Sequence, residues 1–150
     1  YCDSLTEVSF SACTIISTYA FAFCSRLSSV NFPACTYIGS NAFWVCSSLT
    51  TVNFPVCTDI SGSAFRNCGS LTSVSFQACS FIGEKAFNDC SRLYSFYLTG
   101  SILCNLNGSS VFNNTLINSD EGRIYVPASL IESYKVATNW AIYSSKFIGV

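Results

Sequence analysis

Apolar positions recur along most of this chain with a period that fits neither a simple helix nor a simple strand. Leu5, Leu27, Leu49, Leu71 and Leu93 stand 22 residues apart, and Val8, Val30, Val52 and Val74 follow the same step, closed by Phe96. Phe10, Phe32, Phe54 and Phe76 form a third series, closed by Leu98. Ile16, Ile38, Ile60 and Ile82 form a fourth, and the pairs Ala20-Phe21, Ala42-Phe43, Ala64-Phe65 and Ala86-Phe87 a fifth. Cysteine marks both halves of the unit, at positions 2, 13, 24, 35, 46, 57, 68, 79 and 90. An 11-residue step could fill three turns of a right-handed coiled coil. The residues between the marks argue against it, because they are rich in Ser, Thr, Val, Phe and Asn, with Pro33 and Pro55 inside the pattern.

The first half of each unit reads Leu-x-x-Val-x-Phe-x-x-Cys, which fits the leucine-rich-repeat template. Two-residue spacing of Val and Phe turns both to one side of a strand. A fixed 22-residue return stacks each strand parallel to the one before, about 4.8 Å away. The second half, with Ile-Gly/Ser-x-x-Ala-Phe, carries the chain back over the core as a tight turn or a short helical or 3-10 piece. The expected fold is therefore a right-handed α/β-type solenoid: a parallel sheet on the concave face and short turns on the convex one.

After Cys90 the pattern slips by three residues, so that the expected Cys and Phe appear at Cys104 and Phe112. A second slip of three puts Ile124-Tyr-Val126-Pro127 in register with Val-x-Phe-Pro. One domain over 1–150 is expected, with regular repeats over 2–100, a distorted repeat over 101–127 and a cap over 128–150. Asn118-Ser-Asp-Glu-Gly122 suits a polar bulge in the distorted turn. From Ser129 the pattern is helical. Ser129 is the expected N-cap, Glu132 completes a capping box, and Leu130, Tyr134 and Ala137 share a face. A solenoid needs an end that shields its last coil. No matching cap precedes Cys2, and there is no initiator Met or leader, so a fragment or tail of a longer repeat protein is expected.

Composition narrows the chemistry. The mean hydropathy is +0.42, yet the longest apolar run, Tyr19 to Cys24, is far too short to span a membrane. A net charge of −1 excludes the basic footprint of a nucleic-acid binder. The absence of histidine removes Ser-His and Cys-His nucleophile pairs and His-ligated zinc. No phosphate-cradling glycine motif occurs, so no cofactor is expected. The eight acidic residues share no repeat position, and Asp120-Glu121 alone are adjacent, in a loop; a glycan hydrolase with paired carboxylates has no candidate pair.

The ten cysteines carry three readings: reduced buried ladders, a disulfide framework, or metal. Regular spacing favours the ladders, because equivalent thiols in stacked coils point inward in parallel rather than toward one another. The Cys13 series falls where leucine-rich repeats use Asn or Cys to satisfy turn backbone. No C-x-x-C pair exists, and no metal is expected. Two Asn-x-Ser/Thr sequons, at Asn107 and Asn113, are commonplace.

The unit Cys-x-x-Leu-x-x-Val-x-Phe-Pro-x-Cys-x-x-Ile-x-x-x-Ala-Phe resembles the BspA-like, or Treponema pallidum-type, leucine-rich repeat. Ile124 to Leu130, followed by Tyr134, Lys135, Ala137 and Trp140, resembles the closing segments of bacterial members. The resemblance implies a secreted or cell-surface protein whose repeats adhere to proteins or cells, including host extracellular proteins. The candidate binding surface is the outward side of the strands. There Glu7 and Ser9, Ser29 and Asn31, Thr51 and Asn53, Ser73 and Ser75, Ser95 and Tyr97, and Arg123 and Tyr125 flank the inward residues. Asn31, Asn53, Ser75, Tyr97, Arg123 and Tyr125 are its candidate contact residues, and Tyr and Arg are enriched at interaction hot spots. A plain soluble β surface accounts for the same residues. So does a spacer that presents another domain. Tyr37, Trp44 and Phe81 mark the second, convex candidate.

Overall fold

A computed structural model of the chain describes residues 2–150. Each coil contributes one strand to a major parallel ladder. Its strands are β1 (Glu7–Ser9), β3 (Ser29–Asn31), β5 (Thr51–Phe54), β7 (Ser73–Phe76), β9 (Ser95–Leu98) and β11 (Arg123–Val126). Their registers join equivalent repeat positions, as in Val52 opposite Val74 and Val74 opposite Phe96. β1 pairs with β3, and β5, β7, β9 and β11 form a second run. Between β3 and β5 the core is continuous, since Phe32 stacks on Phe54 at 6.3 Å.

The return segment holds a second parallel ladder that the sequence pattern left unresolved. Two-residue strands β2 (Ile15–Ile16), β4 (Tyr37–Ile38), β6 (Asp59–Ile60), β8 (Phe81–Ile82) and β10 (Asn105–Leu106) pair in order. The rest of the return is tight turn rather than helix, the first of the forms the sequence allows. Its residues alternate in hydrogen bonding: Asn41, Phe43 and Val45 donate to Gly62, Ala64 and Arg66 of the next coil, while Ala42, Trp44 and Cys46 donate three residues back. Of the three residues that donate to the next coil, the first and the last are in the left-handed region, whereas the middle one, Phe43, is not. Tyr19, Asn41, Ser63 and Lys85 form one such series and Phe23, Val45, Asn67 and Asp89 another. Glycine is required nearby only where coils touch: a Cβ on Gly39 would lie 2.6 Å from the Thr18 backbone nitrogen.

The core is two aromatic columns set by the repeat. Phe32, Phe54 and Phe76 stack at 6.0–6.3 Å, and Phe43, Phe65 and Phe87 at 5.0–5.2 Å, with planes within 13°. Equal side chains at equal register stack because each coil repeats the previous one by a single strand step. The first coil departs from this pattern, since Phe10 is 53% exposed, although Phe32, one period later, is buried.

The thiols have two settings. Cys13, Cys35, Cys57 and Cys79 each donate to the carbonyl oxygen two residues on, at 3.2–3.5 Å. Cys46, Cys68 and Cys90 donate at 3.1 Å to Phe21, Phe43 and Phe65 of the preceding coil. All ten cysteines are free; Cys24 through Cys104 are buried, whereas Cys2 is exposed and Cys13 partly so. Cys104, displaced by the three-residue slip, lies with its Sγ 3.7 Å from that of Cys79.

The C-terminal segment closes the far end. After a 3-10 turn (Ala128–Leu130) come α1 (Ile131–Val136), a kinked 3-10 segment (Ala141–Lys146) and β12 (Phe147–Gly149), which adds a parallel strand beside β11. The expected capping box is absent. Ser129 sits inside the 3-10 turn, the residue before α1 is Leu130, and no side chain caps it. Pro127 starts the turn earlier than the Ser129 signal indicates, and Glu132 bonds Lys135 at 2.8 Å instead. Leu130 and Ala137 pack against the core and Tyr134 is buried in it. Trp140 Nε1 donates to the Cys104 carbonyl at 2.7 Å, and the Cys104 N–H donates to Tyr134 Oη at 3.0 Å. The cap therefore grips the slipped coil by both backbone groups of one residue.

Candidate functional site

Strand alternation places two rows of side chains on the solvent face of the major ladder. The row nearer the strand starts runs Glu7, Ser29, Thr51, Ser73, Ser95, Arg123. The second runs Ser9, Asn31, Asn53, Ser75, Tyr97, Tyr125 and then Ile148, paired with Tyr125 through β12. All six candidate residues thus share one face, with Asn31 and Asn53 exposed and Ser75, Tyr97, Arg123 and Tyr125 partly so.

The face changes character along its length. At the β1–β3 end is an open depression of about 420 Å³ lined by Glu7, Val8, Ser9, Ser29 and Asn31. Asn31 Nδ2 donates there to Ser9 Oγ at 3.0 Å. At the other end Tyr97 and Tyr125 lie ring on ring, centroids 4.3 Å apart and planes within 8°. That separation is close to one strand step, so the rings stack along the ladder and stand up from the sheet. Each phenol stiffens the other, which lowers the entropy lost on binding. Ile148, 40% exposed, continues the apolar end; β12 is too short to be read from an apolar pattern, and this residue was not anticipated.

Arg123 plays a different part from that expected of a free arginine. Its Nη1 donates at 2.7 Å to both the Asp120 and Gly122 carbonyls, which fastens the 119–122 loop to β11. Lys146 Nζ reaches the same loop, donating to the Ser119 carbonyl at 2.6 Å and lying 3.4 Å from Asp120 Oδ1. Between Glu7 and Arg123, both rows are free of acidic and basic side chains.

The convex candidates are only partly brought together. Trp44 packs on Phe23 at 4.5 Å and Tyr19 at 6.4 Å. Tyr37 sits on the minor ladder, where its hydroxyl accepts from Ser61 at 2.9 Å, and Phe81 lies two coils further on. Trp44 and Tyr37 thus cement coil to coil.

Four of the buried thiols are held in their neutral form. Burial pushes the Cys57 and Cys68 thiols well up, and Cys46 and Cys79 are pushed up first by hydrogen bonding to Cys68 and Cys104 and then by burial. Thiolate, the nucleophilic and metal-binding form, is disfavoured at each. Among the described residues no group of three or more Cys, Asp or Glu is placed to hold a metal ion. No helix of the described chain is long and apolar enough to cross a membrane.

The family model for the BspA type leucine rich repeat region matches residues 14–133 in six copies. A leucine-rich repeat protein from Bacteroides ovatus, solved as a crystal structure, superposes with a TM-score of 0.66 at 24% identity. The match covers 99% of this chain and 31% of that one, so the chain spans about a third of that protein's length. No curated protein matches the sequence.

Proposed function

Since this chain belongs to the BspA-type leucine-rich repeat family, we propose that it is a non-enzymatic recognition module that adheres to proteins or cell surfaces through the outer face of its major ladder. Repeats of this family are interaction modules of proteins that are usually secreted or surface-attached, which supports an extracellular setting for this chain. The observation that carries the reading is the Tyr97–Tyr125 stack, a rigid aromatic pair on an otherwise small and polar face. Solenoid faces of this kind bind because many shallow contacts align along one direction. A few aromatic anchors then supply most of the energy.

Labelled protein is to be measured on intact animal and bacterial cells by flow cytometry. The combined Asn53→Ala, Tyr97→Ala and Tyr125→Ala variant should bind at least tenfold more weakly, and the minor-ladder variant Tyr37→Ala should bind as the parent does. Unchanged binding of the triple variant overturns the reading.

The spacer reading draws its support from the continuous aromatic columns, which make a stiff rod of equal steps. Removal of two whole coils separates the two: a spacer keeps its activity with altered reach, whereas a binding face loses affinity.

A further inference from the structure

The outer face has a step in it. Tyr97 turns one ring face to Tyr125 and the other toward Ser75, whose side chain is too small to cover it. Because the rings stack along the ladder, that second face stands as a wall over a floor of Asn53, Ser73 and Ser75. The floor is made of hydroxyl and amide groups, which both donate and accept. None of the floor side chains is ionisable.

An independent observation lies at the foot of the wall. Ser95 is only 6% exposed, yet it shares the outward face, flanked in register by Ser73 and Arg123. Its hydroxyl has no hydrogen-bond partner among the described residues. Ser95 Oγ is not sealed off, and its strand position opens it to the outer face. Polar groups buried to this degree are ordinarily bonded, and one left open toward a surface is completed by what docks there.

We infer that the strip from Asn31 to Tyr97 is a subsite for a short neutral oligosaccharide, with one sugar ring stacked on the free face of Tyr97 and its hydroxyls bonded to Ser95, Ser75 and Asn53. The inference rests on the recognition reading above and names the ligand class for that face. A pyranose has an apolar C–H side that packs on an aromatic face and a rim of hydroxyls that needs mixed donors and acceptors, the combination presented here. A protein partner would set an apolar core at the centre of its patch, which matches the Tyr97–Tyr125 end better than this hydroxyl and amide floor. An acidic sugar or sulfated glycan would need free cations, and Arg123 is tied to the 119–122 loop. Three strand steps separate Asn31 from Tyr97, about 14 Å, room for several sugar units in line.

The test is an array of neutral tri- and tetrasaccharides of hexose and N-acetylhexosamine, beside sialylated and sulfated counterparts, followed by calorimetry on hits at low and high salt. The expected result is binding of one or more neutral probes with little salt dependence. Tyr97→Ala should weaken it at least tenfold and Ser95→Ala several-fold. Ser75→Arg, which fills the step from a partly exposed position on the outer face, should abolish it while the thermal unfolding midpoint stays within a few degrees. If no neutral probe binds, or acidic probes alone bind, while cell binding still depends on Tyr97 and Tyr125, the carbohydrate inference fails and the recognition reading stands. If cell binding is also indifferent to these residues, both fail. Neutral binding that survives Ser75→Arg overturns the placement.

Discussion

The thiol of Cys68 donates a hydrogen bond to the carbonyl oxygen of Phe43, 3.1 Å away in the preceding coil. The same bond joins Cys46 to Phe21 and Cys90 to Phe65, so one cysteine column stitches each turn to its predecessor. Such thiols act as small apolar fillers that also satisfy a buried acceptor. Native protein should therefore react slowly with a thiol reagent, apart from exposed Cys2 and partly exposed Cys13, and denatured protein should titrate ten thiols. Rapid labelling of the native core would contradict this setting.

Alkali should unfold the protein. An unfolded thiol ionises near its ordinary value of 9.0, but the buried thiols of Cys57 and Cys68 are held well above it. Above that pH the unfolded chain binds fewer protons than the folded one. The stability linked to these groups is whole below about pH 9 and falls as pH rises past it. Each such thiol contributes a slope of about 1.4 kcal/mol per pH unit. Urea midpoints measured from pH 8 to 11 should drop steeply, and the drop should be shallower in Cys57→Ala.

Left-handed backbone at Val45 stores strain that its repeat equivalent avoids. Val45 has φ 62°, and Asn67, one period later, has the same φ with a side chain that tolerates it. Val45→Asn should raise stability by about 1 kcal/mol, read as a gain of about 2–4 °C in Tm. A loss of stability would show that Val45 packing outweighs the strain.

The cap should be sensitive to single polar atoms. Tyr134→Phe removes the acceptor for the buried Cys104 N–H and should cost about 1–3 kcal/mol by urea denaturation. Trp140→Phe should do likewise through the Cys104 carbonyl. Burial raises the Tyr134 hydroxyl to about 12, so it stays protonated across the neutral range. Equal stability of Tyr134→Phe and parent would mean that water replaces the phenol.

The repeat, the inward columns and the sharing of one face by Asn31, Asn53, Ser75, Tyr97, Arg123 and Tyr125 were all legible in the sequence, because each needs only periodicity and strand alternation. Other features left no such mark. Phe23 and Val45 adopt positive φ without being Gly or Asn, at positions whose N–H groups bond the next coil. The minor strands have two residues each and show no alternation. Ser129 fits a capping box by spacing alone, but Pro127 sets the start of the turn. Arg123 looks free until the 119–122 loop is seen to fold onto it. What distinguishes Tyr97 and Tyr125 is the ring-on-ring contact, which two matched positions made available and the structure supplies.

The most direct test of the recognition surface compares two sets of inserted charges on the folded chain, with cell binding as the readout. Asn53→Arg with Ser75→Arg places bulk and charge on the outer face, whereas Gln77→Arg places it just past the end of β7, where Gln77 is exposed. The account predicts loss of cell binding in the first variant and parental binding in the second, with unfolding midpoints unchanged in both. Parental binding by the outer-face variant would contradict it.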